Sequence, residues 1–397
     1  MLKQNLIAEI GDNEIRYGIY EFDKKSNLKL LNKKISQNLK IKKGKTFDYE
    51  YTSKKINEDI KNLEKESDKI FTDISVVVNE PETFSTNLSG FKKLNGAKVE
   101  KRDLDYILNE AKNSIQKNQE NHSILHILNS KFILDKEKKN KIPLHIHGND
   151  LSLHLTFISL PKNNLKNIKT LFANSDLKIN RVISKPFACG INLLTKNKGA
   201  KNFALINLDK EICSISLYED SSLVLLKNFP FGTNSIYNDI IQLCSLSEKE
   251  VRNIIRHFNF ESKNEIDNKY VTQDFFTESE FKKLSIKHIN DIIKARISEI
   301  IDYIYNKNKN LDYLSDKIFR VHLFFEDKDI LENLSKLFKE SLNTNQTRTQ
   351  IELLHLHDFS ALSGAAELIF KGWDKEVIPL SNKKKSVISS FFGRFFT

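Results

Sequence analysis

Residues 203–232 constrain the fold of this chain more than any other stretch. Phe203-Ala204-Leu205-Ile206-Asn207-Leu208, Ile212–Tyr218 and Leu223–Leu226 are three short apolar or alternating runs. Polar breaks at Asp209-Lys210-Glu211 and Glu219-Asp220-Ser221-Ser222 separate them. Runs of this length between turn-forming residues predict a β-meander, strand–turn–strand–turn–strand. The meander ends at Phe229-Pro230-Phe231-Gly232, and a helical pattern is expected from Tyr237 onward.

At 397 residues the chain is long enough for two domains with sizeable cores. Hydrophobic content of 39% with 29% charge suits a folded protein, not a disordered one. No run approaches about 18 consecutive apolar residues, so no membrane-spanning helix is expected. Met1-Leu2-Lys3-Gln4-Asn5 leads straight into an alternating strand, which argues against a signal peptide. Cys189, Cys213 and Cys244 lack C-x-x-C spacing and are odd in number, as in reduced structural cysteines of a cytosolic protein. The net charge of +11 spreads 63 basic among 52 acidic residues. That describes a solvated lysine-rich surface, and no aromatic-and-basic motif calls for nucleic acid. Only 12 residues are glycine, few for a chain that would cradle phosphates on several Gly-rich turns, when average usage is about 7%.

Along the chain, Leu6–Ile10 and Ile15–Phe22 read as strands joined at Gly11-Asp12-Asn13-Glu14. A third strand is expected near Leu28–Leu31, a helix from about Ser53 with Ile56, Ile60 and Leu63 on one face, and a buried strand at Ile74–Val78. From Pro81 a helix (Leu104, Ile107, Leu108, Ala111) and two strands, Ser123–Leu134 and Leu151–Leu160, flank a charged loop at Asp135–Lys141. His145 and His147 share an expected strand face that His126 or His154 could approach. No Cys, Asp or Glu stands at ligand spacing, so no metal is expected there, nor at His355 and His357.

A helix with Leu165, Ile168, Leu171 and Phe172 follows, then a strand at Lys178–Ile183 and a helix from Lys185-Pro186 through Leu194. Asn197-Lys198-Gly199 reads as a hinge. Beyond the meander, Ser247-x-x-Glu250 is a capping box for a helix with Val251, Ile254, Ile255 and Phe258. Residues 259–278 read as loop with a short strand. A long helix is expected over Ser285–Tyr305, a strand at Ile318–Phe325, and a helix from Asp329.

In order and character these segments resemble the FtsA family of actin-like ATPases. Glu9-Ile10-Gly11 matches that family's first phosphate hairpin. Ile124-Leu125-His126-Ile127, Phe132-Ile133-Leu134-Asp135, and Pro143 with Gly148 match its small inserted subdomain, with departures at Asn129 and His145. Phe359–Ala366 resembles its small-residue helix that packs the two lobes together. The resemblance implies an α/β, actin-like two-lobed fold with an inserted small α+β subdomain and a C-terminal amphipathic helix. It divides the chain into a first lobe over 1–83 and 161–196, an insert over 84–160, and a second lobe over 197–238 and 316–358. An outer subdomain over 239–315, a first-lobe closing helix over 359–372, a linker over 373–385 and a membrane-targeting helix over 386–397 complete it.

The resemblance also marks nucleotide-site positions at Gly11, Asp12, Asn13, Asn207, Asp209, Lys210, Glu211 and Gly232. Their chemistry is rewritten. Phosphate turns use glycine because backbone N–H groups must approach the oxygens with no Cβ in the way. Here Asp209-Lys210-Glu211 replace glycines, Asn207 an aspartate and Ile212 a threonine, and Phe324-Phe325-Glu326-Asp327 stands at the adenine turn. A carboxylate about 4 Å from a phosphate charge costs roughly 4 kcal/mol at an effective dielectric near 20, about a thousandfold in affinity. ATP and magnesium are therefore expected to bind weakly or not at all. No P-loop, G-x-S-x-G or Cys/His pattern offers a different catalytic residue. Working actin-like ATPase and pilus-assembly relative remain as alternatives.

By the same resemblance, Arg296 and Glu299, in Ala295-Arg296-Ile297-Ser298-Glu299, are candidate contacts for the FtsZ C-terminal tail. At the C-terminus, Lys383-Lys384-Lys385 precede Ser386–Thr397. At 100° per residue Val387, Phe391 and Phe395 line up beside Ile388, Phe392 and Phe396, while Arg394 lies with the serines. Phenylalanines on one side and lysines ahead of them describe a helix that lies in an anionic membrane surface. The expectation is a scaffold on the cytoplasmic side of the inner membrane at the division site. It would bind FtsZ and other division proteins and self-associate into protofilaments.

Overall fold

The computed structural model describes residues 4–23, 27–42, 45–46, 48–139, 141–197, 201–260, 266–267, 269–311, 320–342, 350–355 and 359–377. The chain forms two compact units, one of Met1–Lys201, Ser216–Lys227 and Phe359–Thr397, the other of Asn202–Ile215 and Asn228–Asp358.

The chain opens with β1 (Gln4–Ile10), β2 (Glu14–Phe22), β3 (Leu28–Gln37), a two-stranded ribbon of β4 (Ile41–Lys42) and β5 (Lys45–Thr46), α1 (Tyr49–Ser67) and β6 (Asp73–Val78). The insert adds β7 (Phe84–Lys93), α2 (Lys101–Asn118), β8 (His122–Leu134), β9 (Glu137–Lys139) and β10 (Asp150–Pro161). Next come α3 (Lys162–Leu171), β11 (Lys178–Ser184), α4 (Lys185–Lys196) and the meander strands β12 (Phe203–Leu208), β13 (Cys213–Glu219) and β14 (Ser222–Phe229). The remainder holds α5 (Asn234–Cys244), α6 (Glu248–His257), α7 (Ile286–Ile301), β15 (Arg320–Phe325), α8 (Lys328–Ser341), β16 (Gln350–His355), α9 (Ser360–Phe370) and β17 (Glu376–Val377).

The first sheet runs β11-β6-β1-β2-β3, parallel from β11 to β1 and antiparallel from β1 to β3. Leu6, Ala8 and Ile10 form one core with Ile56, Ile60 and Leu63 of α1 and Ile168 and Leu171 of α3. Alternation turns Glu9 to the other side of β1, where it meets Lys185 at the start of α4. α9 crosses α4 where a Cβ on Gly364 would stand 1.9 Å from the Ala188 carbonyl oxygen, so only glycine permits the approach. The small-residue helix thus packs within the first unit.

In the insert, β7 and β8 flank β10 in antiparallel register, and α2 covers them. Glu100 starts α2 by donating its N–H to Asp103 Oδ2 at 2.7 Å. β14 reaches β7 at Lys227–Phe84, and β17 adds to β8 at Glu376–Leu128 and Val377–Ile127.

In the second unit β12, β15 and β16 are parallel neighbours. The expected capping box is present: Ser247 Oγ accepts from Glu250 N at 3.3 Å, and Glu250 Oε2 from Ser247 N at 2.7 Å.

Several expectations change. Asp48 caps α1 by accepting from Tyr51 N at 3.0 Å, so the helix begins four residues before Ser53. The 135–141 loop contains β9, because Asp135 and Lys136 take positive φ and close a hairpin onto β8. The long helix ends at Ile301 and widens into a π turn over Asp302–Asn306. His145 sits in a turn at φ 63, so His145 and His147 share no strand. Lys383–Lys385 and the 386–397 helix lie outside the described residues, as do Lys198 and Gly199 of the hinge and His357.

Candidate functional site

The hairpin at Gly11 is closed by its own backbone. Gly11 N–H donates to Glu14 O at 3.0 Å. Asn13, at φ 57, donates its N–H to Ile41 O at 2.8 Å and accepts from Leu39 N at 3.0 Å. Behind the hairpin, Arg16 pairs with Glu14 and lies 3.3 Å from Glu9, and Lys185 Nζ lies 3.2 Å from the same Glu9 oxygen. These buried cations are balanced by the protein's own carboxylates. Asp12 adds negative charge at the end of β6, where Glu80 is buried. Burial pushes the Glu80 carboxyl up to about 7; Glu82 and Asp12 add to the rise, against the Asn164 hydrogen bond and Lys45.

The second turn, Asp209-Lys210-Glu211, joins β12 to β13 and is held on two sides. Thr233 N donates to Asp209 O at 3.0 Å and Asn234 N to Lys210 O at 2.9 Å, so the first N–H groups of α5 are spent on the turn. Asn234 Nδ2 adds a bond to Glu211 Oε1 at 3.0 Å. A Cβ on Gly232 would stand 2.2 Å from Lys210 O, which explains the glycine there. On the opposite side Lys210 N–H donates to Glu326 Oε2 at 3.1 Å. Buried Asn207 donates through Nδ2 to Ser214 Oγ at 3.1 Å.

Sequence reasoning placed Glu326 at an altered adenine turn, Glu9 in the first hairpin's motif and Lys185 at a helix start but gave none of them a role, and it passed over Arg16 and Glu80. The available signal was the charged residue in place of glycine in each case where a turn was recognised. Pairing across strands distant in sequence carried no such signal.

Arg296 is engaged inside the second unit. Its Nε and Nη2 hold Asp239 of α5 at 2.5 and 2.9 Å, and Nη1 reaches Glu299 at 2.6 Å. The Asp239 bond holds the guanidinium charge more firmly than usual, against the opposing effect of burial. Among the described residues no group of three His, Cys, Asp or Glu side chains could hold a metal ion. Among the same residues no helix is long and apolar enough to cross a membrane.

Residues 82–159 match the family described as the SHS2 domain inserted in FtsA. The cell division protein FtsA of Helicobacter pylori (strain ATCC 700392 / 26695) is 26% identical over 117 residues, which is 30% of this chain and 24% of that protein. The chain thus spans about a quarter of that relative's length. FtsA of Buchnera aphidicola subsp. Schizaphis graminum is 22% identical over 320 residues, covering 79% of this chain and 74% of the relative. Among solved structures, a PilM–PilN type IV pilus biogenesis complex superposes with a TM-score of 0.58 at 11% identity, over 91% of this chain and 90% of that one. The fold is therefore the actin-like one. By its inserted domain, by similarity along most of its length and by its fold, the chain is similar to the bacterial cell-division protein FtsA.

Proposed function

We propose that the chain is a cell-division scaffold that tethers FtsZ filaments to the inner face of the cytoplasmic membrane and recruits later division proteins, without turning over ATP. The observation that carries this reading is the inserted SHS2 domain over residues 82–159, set in an actin-like fold. The 239–315 segment would receive the acidic and apolar FtsZ tail, and copies of the chain would associate into protofilaments. The lysine cluster and phenylalanines of 383–397 would hold the body on anionic lipid as a peripheral protein.

The two turns speak against a bound triphosphate. Lys210 N–H, Thr233 N–H and Asn234 N–H already have acceptors within the protein. In the family that the chain resembles both turns hold phosphate, and here they carry Asp12 and Glu14, and Asp209 and Glu211. The residues present do not suit Mg-ATP, and no step of the proposed role passes through it.

Co-sedimentation of the full chain with anionic liposomes, alone and with FtsZ, tests the tether. The expected result is that FtsZ pellets with lipid only when the chain is present. FtsZ left in the supernatant, with the chain itself on the lipid, would overturn the tethering role. Millimolar Mg-ATP is expected to leave the Tm unchanged, since a ligand selective for the native state raises it.

A further inference from the structure

We propose that Glu326 is a built-in anion for the 209–211 turn: its carboxylate takes the part that a nucleotide phosphate would take, and keeps the turn in one conformation with no ligand. This rests on the reading of the turn as a former phosphate turn. Glu326 follows directly on β15, the parallel neighbour of β12, so its position is set by the sheet. Its own N–H donates to Leu208 O at 3.3 Å, which fixes its backbone beside the end of β12. From there Oε2 accepts from Lys210 N–H at 3.1 Å. Opposite, the Asp209 and Lys210 carbonyls are held by the N–H groups of Thr233 and Asn234. The peptide at Lys210 is therefore gripped through its N–H by a carboxylate and through its carbonyl side by a helix start. A phosphate would need the same N–H and would meet the Glu326 charge in its place. The state of this turn then does not depend on nucleotide.

Hydrogen exchange of the Lys210 amide tests the clasp in the full-length protein without nucleotide. Glu326→Ala is expected to speed exchange at Lys210 about tenfold or more, the worth of one hydrogen bond to a charged acceptor. Glu326→Gln, which keeps the side-chain shape and a neutral acceptor, is expected to give a smaller acceleration, and it carries the test if the alanine variant does not fold. Unchanged exchange at Lys210 in every folded variant would overturn the proposal. Wild-type protein with Mg-ATP separates the two readings. A rise in Tm there would sink the nucleotide-independent scaffold, whereas the clasp stands or falls on the exchange measured without nucleotide.

Discussion

His126 Nδ1 lies 2.7 Å from Glu376 Oε1, a fully buried bond between the inserted domain and the last described strand of the chain. Arg181 of β11 pairs with the same carboxylate oxygen, and Ser184 N–H donates to His126 Nε2 at 3.1 Å. Because Nε2 accepts, the imidazole is neutral and Nδ1–H donates to Glu376. Burial lowers the His126 pKa in keeping with that state. Three segments far apart in sequence, β8, β11 and β17, are thus joined at one carboxylate, from which residues 378–397 continue.

Removing that carboxylate takes away the ion-pair partner of Arg181 and the buried acceptor of His126 Nδ1. Glu376→Ala is expected to cost about 3–5 kcal/mol in urea denaturation. Burial raises the Glu376 carboxyl, but Arg181 and then His126 outweigh it and hold the group at about 2, against 4.5 ordinarily. The folded pKa lies below the unfolded one. Its stabilisation is therefore present above the ordinary value and lost as pH falls from 4.5 toward 2. The gap between wild type and Glu376→Ala should narrow over that window. A pH-independent gap would show that the carboxylate charge is not what the cluster uses.

Glu80 carries the opposite sign. Its folded pKa of about 7 lies above the ordinary 4.5, so stability declines as pH rises through that interval. Glu80→Gln removes the group that must ionise. The variant is expected to gain up to about 3 kcal/mol near pH 8 and about 1 kcal/mol or less near pH 5, measured by chemical denaturation at both pH values.

Arg296 holds α7 to α5 through Asp239, so any test of its part in FtsZ binding must separate fold from contact. Arg296→Ala is expected to lower stability by about 1 kcal/mol, since the pair is partly exposed. If Arg296 belongs to the proposed FtsZ-tail site, the variant should also weaken an FtsZ tail peptide in a titration, through loss of a positive charge. A variant with lowered Tm and unchanged peptide affinity would assign Arg296 to the helix pair alone.

For the membrane, Phe392→Asp is expected to abolish sedimentation with anionic liposomes while circular dichroism of the body is unchanged. Added salt should weaken wild-type binding only in part, because screening acts on Lys383–Lys385 and not on the phenylalanines. The matching truncation ends at Val377. A cut before Glu376 would remove β17 and the partner of His126 and Arg181, and would test that cluster instead of the tail. Phe392→Asp protein that still pelleted with lipid would remove the tail from the tether.

The parts legible in the sequence share a local cause. Strand alternation over 203–226, the Ser247–Glu250 capping box and the stripe of isoleucines in α7 are set within a few residues, where spacing alone selects the conformation. β7 escaped notice because its residues, Ser85, Thr86, Asn87 and Ser89 among them, are polar, and only pairing with β10 along its whole length makes it a strand. β17 is two residues long and exists because β8 offers an edge.

The sequence by itself determined the order of most elements, because that is a property of neighbouring residues, and its resemblance to a known family marked the inserted domain and the loss of glycine from the second turn. It could not say what holds that turn once the glycines are gone. That Lys210 N–H points at Glu326, that Arg296 grips Asp239, and that Glu376 closes on His126 and Arg181 depend on strands and helices meeting at separations of 116, 57, 250 and 195 residues. A buried charge finds its partner only once the sheets have formed, because burial is what makes the pairing necessary.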